Sequence, residues 1–169
     1  VLKYLGSLPA RPVVDKTLES LRAFPAKEGP LTSVVQVGTI TPRAEVLVGW
    51  RSADYSATKE RRTLQLAAEI LDSRLRETVR EEHGLTYSIS CFTSPSKAYR
   101  GAAFMAAFFT ADPAKAEEAA KITREAMASL AREGPTDEEM KTVHLKFRNI
   151  IEESQKTPGY WASVMSDLH

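Results

Sequence analysis

The chain has 169 residues, 43% of them hydrophobic and 27% charged, with a net charge of +1. That length can bury a real core, since domains of ~150 residues hide about 68–70% of their unfolded surface. Interspersed charges exclude the basic footprint of a nucleic-acid binder, no apolar run nears the ~18 residues of a membrane span, and the single Cys91 excludes an internal disulfide or a multi-cysteine metal site.

Val1–Leu5 reads as the last turn of a helix, closed by Gly6 and followed by Pro9. A start inside a helix predicts a piece of a longer protein. Residues 11–30 carry Pro12, Pro25, Gly29 and Pro30 and predict a surface connector with one helical turn at Leu18–Leu21. Two domain segments follow: 1–30, a helix tail plus connector, and 31–169, a single α+β unit. Ser33–Thr39 and Glu45–Trp50 are rich in β-branched residues, and Thr41-Pro42-Arg43 between them predicts a hairpin.

A polar link at Asp54–Thr58 leads into a long amphipathic helix. Leu64, Ala68, Leu71, Leu75 and Val79 form one stripe of a 3.6-residue period, and Gly84 suits the left-handed position that closes a helix. A strand follows, with Tyr87, Ile89 and Cys91 on one side and Thr86, Ser88 and Ser90 on the other. Pro95-Ser96-Lys97 is a turn. Gly101–Thr110 is apolar on both sides, which predicts a central strand with both faces covered.

Asp112-Pro113 predicts the start of a helix running to Gly134, with Ala116, Ala119, Ile122, Ala126 and Leu130 inward. Thr136 and Glu139 have the spacing of a capping box, opening a helix that buries Met140, Val143, Phe147 and Ile150. Thr157-Pro158 starts a last helix with Trp161, Val164 and Leu168. The sum is an α+β two-layer sandwich: an antiparallel sheet with helices packed on one face.

Motifs of chemistry are sparse. His83, His144 and His169 have no ligand spacing among them, so no metal site is expected within the chain. The carboxylates of Glu81-Glu82 and Asp137-Glu138-Glu139 read as solvated faces and helix starts. Cys91, inside a strand, reads as a small buried hydrophobe. Arg80 and Tyr87 stand out because a helix–glycine–strand corner brings both to one end of a sheet. Spacing leaves two readings open: Arg80 paired with Glu77 or Glu81 and Tyr87 packed in the sheet, or both facing a ligand.

The string Arg80-Glu-Glu-His-Gly-Leu-Thr-Tyr87, preceded by Ile70-Leu71-Asp72-Ser73-Arg74-Leu75, resembles a family signature. The family is the pitrilysin/insulinase zinc metallopeptidases, and the match is to their non-catalytic half-domain. Tyr4-Leu-Gly-Ser-Leu-Pro9, Gly101–Phe109 and Glu133–Met140 resemble further elements of the same half-domain.

The resemblance implies a ferredoxin-like half-domain that closes an active-site chamber, with Arg80 and Tyr87 donating hydrogen bonds to peptide carbonyls during proteolysis. Catalytic residues and zinc would belong to a partner half, in the same chain or another subunit, because this chain lacks the inverted H-x-x-E-H. The alternative is a catalytically inactive scaffold homologue. A bacterial periplasmic or secreted setting is compatible with either, and neither involves nucleic acid or a membrane span.

Overall fold

The computed structural model describes residues 18–25, 29–38 and 40–166. The helix end at Val1–Leu5, much of the 11–30 connector, Leu168 and His169 lie outside them. Elements follow in the order α1 (Leu18–Leu21), β1 (Ala44–Arg51), α2 (Thr58–Leu75), a π-helical segment (Arg76–Glu82), β2 (Thr86–Ser94), β3 (Phe104–Ala111), α3 (Ala116–Glu133), α4 (Asp137–Ser154) and α5 (Pro158–Ser166).

The sheet has the order β1-β3-β2, antiparallel throughout, so β3 is central as its apolar sequence predicts. Ala44 lies opposite Ala111 and Arg51 opposite Phe104, while Thr86 and Ser94 of β2 face the same two residues of β3. The expected β2–β3 hairpin forms. The expected hairpin of Ser33–Thr39 with β1 does not: β1 pairs with β3, and residues 31–38 lie in no strand. Val34, Val35 and Val37 are exposed. β-branched residues favour a strand where a packed surface receives them, and this segment lacks that surface.

Helices cover one side of the sheet. Met105, Phe109 and Ala111 of β3 meet Leu71, Leu75 and Val79 of the long helix and Ala119 of α3 in one core. Burying a side chain the size of Leu71 or Phe109 contributes about 1.5–3 kcal/mol. The other side is open, contrary to the expectation for β3. Phe104 and Phe108 are 37% and 38% exposed, beside Leu47 and Phe92. Phe92 and Phe104 meet edge to face at 6.1 Å.

Two helix starts differ in their chemistry. The Thr136–Glu139 capping box forms as predicted: the Glu139 N–H donates to Thr136 Oγ1 (3.2 Å), and the Thr136 N–H donates to Glu139 Oε2 (2.7 Å). At Asp112-Pro113 the carboxylate accepts from Ala114 N–H at 2.8 Å and closes a turn, and α3 begins three residues after Pro113. Val143 is the buried residue of α4, whereas Ile150 is half exposed and α5 buries nothing. The part of α4 beyond Phe147 and all of α5 therefore extend past the core.

Arg74 joins the helices. Its guanidinium holds the Glu139 carboxylate through two hydrogen bonds (2.5 and 2.8 Å) and donates to the Gly134 carbonyl (3.2 Å). One side chain thus ties α2 to the end of α3 and the cap of α4. A second ion pair, Lys146 with Glu69, repeats the α2–α4 tie. The Arg74 bonds hold the Glu139 carboxyl down at about 2, from an ordinary 4.5, with the Thr136 amide helping. A depressed carboxyl stabilises the fold fully above its ordinary value and loses that contribution as pH falls towards the folded one. In urea unfolding, stability should therefore drop between about pH 4.5 and 2. Glu139→Gln should remove that part of the pH dependence and cost about 1–3 kcal/mol at pH 7. Parallel pH profiles for the two proteins would contradict the assignment.

Candidate functional site

The long helix does not end as a regular α-helix. From Arg76 its turns widen, and the His83 N–H reaches the Thr78 carbonyl, five residues back, at 3.2 Å. The Gly84 N–H then bonds Arg80 O (3.1 Å), and the Leu85 N–H bonds Val79 O (3.0 Å). This is a Schellman-like closure one residue wider than usual. Gly84 takes φ +59, the left-handed conformation its sequence position predicts. The wide turn keeps Val79 fully buried and leaves Arg80 exposed. Turns of this kind recur at functional sites.

Beyond the corner, β2 is irregular too. Thr86 pairs with Ala111 and Ile89 with Phe109, so three steps on β2 match two on β3. The extra residue falls in the Tyr87–Ser88 stretch, a β-bulge at the entry to the strand. Simple alternation puts Thr86 opposite Ile89, yet both are buried, because the bulge resets the period. Arg80 and Tyr87 therefore both stand on backbone irregularities, joined by one glycine corner.

Arg80 forms no ion pair with Glu77 or Glu81, and among the described residues its side chain has no hydrogen-bond partner. The first of the two readings left open by spacing thus loses its ion pair. An exposed guanidinium that its own fold does not use is a ready donor of paired hydrogen bonds to an oxygen ligand.

Two residues missed from sequence support the corner. Asp72 is 7% exposed; its Oδ1 accepts the Cys91 N–H at 2.8 Å and its Oδ2 meets Arg76 at 2.9 Å. The signal was present, since Asp72 falls four residues after Ala68 and three before Leu75, on the buried stripe. Thr86 is 8% exposed and bonds two carbonyls. Only the unrecognised bulge could have marked it.

Elsewhere, Arg22, Asp54, Tyr55, Ser96, Lys97 and Arg100 line a pocket of about 280 Å³ at the opposite end of the sheet. Among the described residues, no three His, Cys, Asp or Glu side chains converge as metal ligands, and His83 and His144 are both exposed. No helix among the described residues is long and apolar enough to cross a membrane.

A three-stranded antiparallel sheet backed by helices on one side, with a wide helix–glycine–strand corner at one end, defines an α+β domain. Residues 1–144 match the family model described as the peptidase M16 inactive domain, and the chain belongs to that family. The match bears out the pitrilysin/insulinase resemblance. No match is found among curated proteins.

Solved structures share the fold. The peptidase M16 inactive domain from Pseudomonas fluorescens is 20% identical with a TM-score of 0.58, over 69% of this chain and 28% of that one. The periplasmic protease PqqL from Escherichia coli is 19% identical with a TM-score of 0.60, over 74% of this chain and 14% of that one. A conserved protein from Enterococcus faecalis is 16% identical with a TM-score of 0.66, over 82% and 33%. The chain thus spans a third or less of each of these proteins.

Two outcomes test the local chemistry. Burial, then the neighbouring Asp72 charge, pushes the Cys91 thiol up to about 12. The folded protein should therefore resist iodoacetamide at pH 8 and react on unfolding in urea; rapid labelling of the folded form would contradict the packing. At Gly84 an added Cβ meets open space, so the strain of Gly84→Ala comes from φ alone. Thermal unfolding should register a loss of roughly 1–2 kcal/mol.

Proposed function

We propose that this domain is the non-catalytic half of a zinc-dependent metalloendopeptidase, closing the chamber over a peptide substrate. Arg80 and Tyr87 donate hydrogen bonds to carbonyl oxygens of the peptide near the bond to be cut. Zinc and its general base belong to the catalytic half, in the same polypeptide or a partner subunit. The domain's own contribution is binding, orientation and polarisation of the peptide.

One observation carries the reading. An exposed Arg80, with no ion pair among the described residues, stands on a π-helical turn one glycine corner away from Tyr87 in a β-bulge. Guanidinium and phenol are the donors that polarise a carbonyl and stabilise developing negative charge on its oxygen. Family membership supports the pairing with a catalytic half, and the open apolar side of the sheet, with Phe92, Phe104 and Phe108, offers surface for a large contact.

The test is cleavage of an unstructured peptide by the full-length protein with its catalytic half, wild type against Arg80→Ala, with zinc measured in both. The variant should keep its zinc and lose about 100-fold or more in rate, as for removal of one oxyanion donor. An unchanged rate would remove Arg80 from the substrate site. A wild type that neither binds zinc nor cleaves would make the domain a scaffold homologue whose role is subunit contact.

A further inference from the structure

The bulge that carries Tyr87 has a built-in fastening. Thr86 lies immediately before it, and its hydroxyl has one proton to donate. That hydroxyl lies 2.9 Å from the Ser88 carbonyl, just past Tyr87 on the same strand, and 2.5 Å from the Thr110 carbonyl on β3. The first contact closes a short ring around the Tyr87 peptide unit. The second ties that ring to the central strand. Both sit where the ladder between β2 and β3 is interrupted, between the pairs Thr86–Ala111 and Ile89–Phe109.

A bulge has a regular competitor. If β2 slipped by one residue into an unbulged ladder, every side chain before the slip would change sides of the sheet. What resists the slip must lie at the bulge itself. The described backbone gives it no ladder pairing at Tyr87 or Ser88, and the threonine hydroxyl stands in for the missing hydrogen bonds. Burial of Thr86 strengthens the hold, because a carbonyl that loses its donor beside a nearly buried side chain is costly to leave unpaired. Valine has the same branched shape and none of the hydrogen bonds.

We propose that Thr86 is a positioning residue for Tyr87: its hydroxyl selects the bulged register and so fixes the backbone from which Tyr87 meets the peptide. This rests on the reading of Tyr87 as a substrate contact. Thr86 itself touches no substrate and acts through the backbone of residues 86–88.

The test uses the full-length protein with its catalytic half, a quenched peptide substrate, and the variants Thr86→Val, Thr86→Ser and Tyr87→Phe. Thr86→Val should raise KM or lower kcat by about tenfold, and Thr86→Ser, which keeps the hydroxyl, should stay within about twofold of wild type. Placed on Tyr87→Phe, Thr86→Val should add less than about twofold, because the group it positions is already gone. Amide exchange at Cys91, whose N–H is held by Asp72, should stay as in wild type in Thr86→Val.

Equal losses in the Val and Ser variants would overturn the proposal. So would a full Thr86→Val loss on the Tyr87→Phe background, or faster exchange along all of β2, any of which would mark a general packing role. A Tyr87→Phe protein with wild-type kinetics would instead defeat the underlying reading of Tyr87. Should Thr86→Val not fold, Thr86→Ala carries the same comparisons.

Discussion

The helix layer depends on one guanidinium. Arg74 leaves α2 and engages, at once, the carboxylate that caps α4 and the carbonyl that ends α3. Helix ends are where backbone groups lack partners, and a short α3–α4 link brings an orphan carbonyl and a capping carboxylate within reach of one planar donor. Two positions earlier, Asp72 does the complementary task on the sheet side by accepting the Cys91 N–H. Adjacent faces of α2 therefore fasten it to the neighbouring helices and to β2. Without those two contacts the apolar stripe of α2 would still be attracted to the sheet, but its rotation and its height along β2 would lose two of their polar constraints.

Much of this was legible because the signals are local. A stripe at 3.6-residue spacing, a glycine at the left-handed position, and a threonine–glutamate pair at a helix start each depend on a few residues, and each appears where expected. Failures came where the outcome depends on what lies across a gap. Val34, Val35 and Val37 have strand propensity, yet among the described residues they pair with no strand. Phe104 and Phe108 have the composition of a covered face, and whether a layer lies above them is not encoded in β3. Ile150 continues the α4 stripe beyond the point where there is a core to receive it.

The candidate site was half legible for the same reason. Arg80 and Tyr87 were found from the corner and from the motif around it. The widened turn and the bulge that seat them are departures from periodicity, and a periodic reading passes over them. Sequence patterns report what regular backbone would do. Sites that must aim a side chain off the regular lattice carry the least periodic signal, and their supports, Asp72 and Thr86, look like misplaced polar residues until the irregularity is known.

The carboxylate of Asp72 reaches from α2 to the margin of β2. A strand arriving on that side would need the Cys91 N–H, which is already taken, and would bring its own carbonyl oxygen against a buried negative charge. At that point of β2 a helix side chain occupies a backbone donor that an added strand would need, which is a local defence against edge-to-edge pairing.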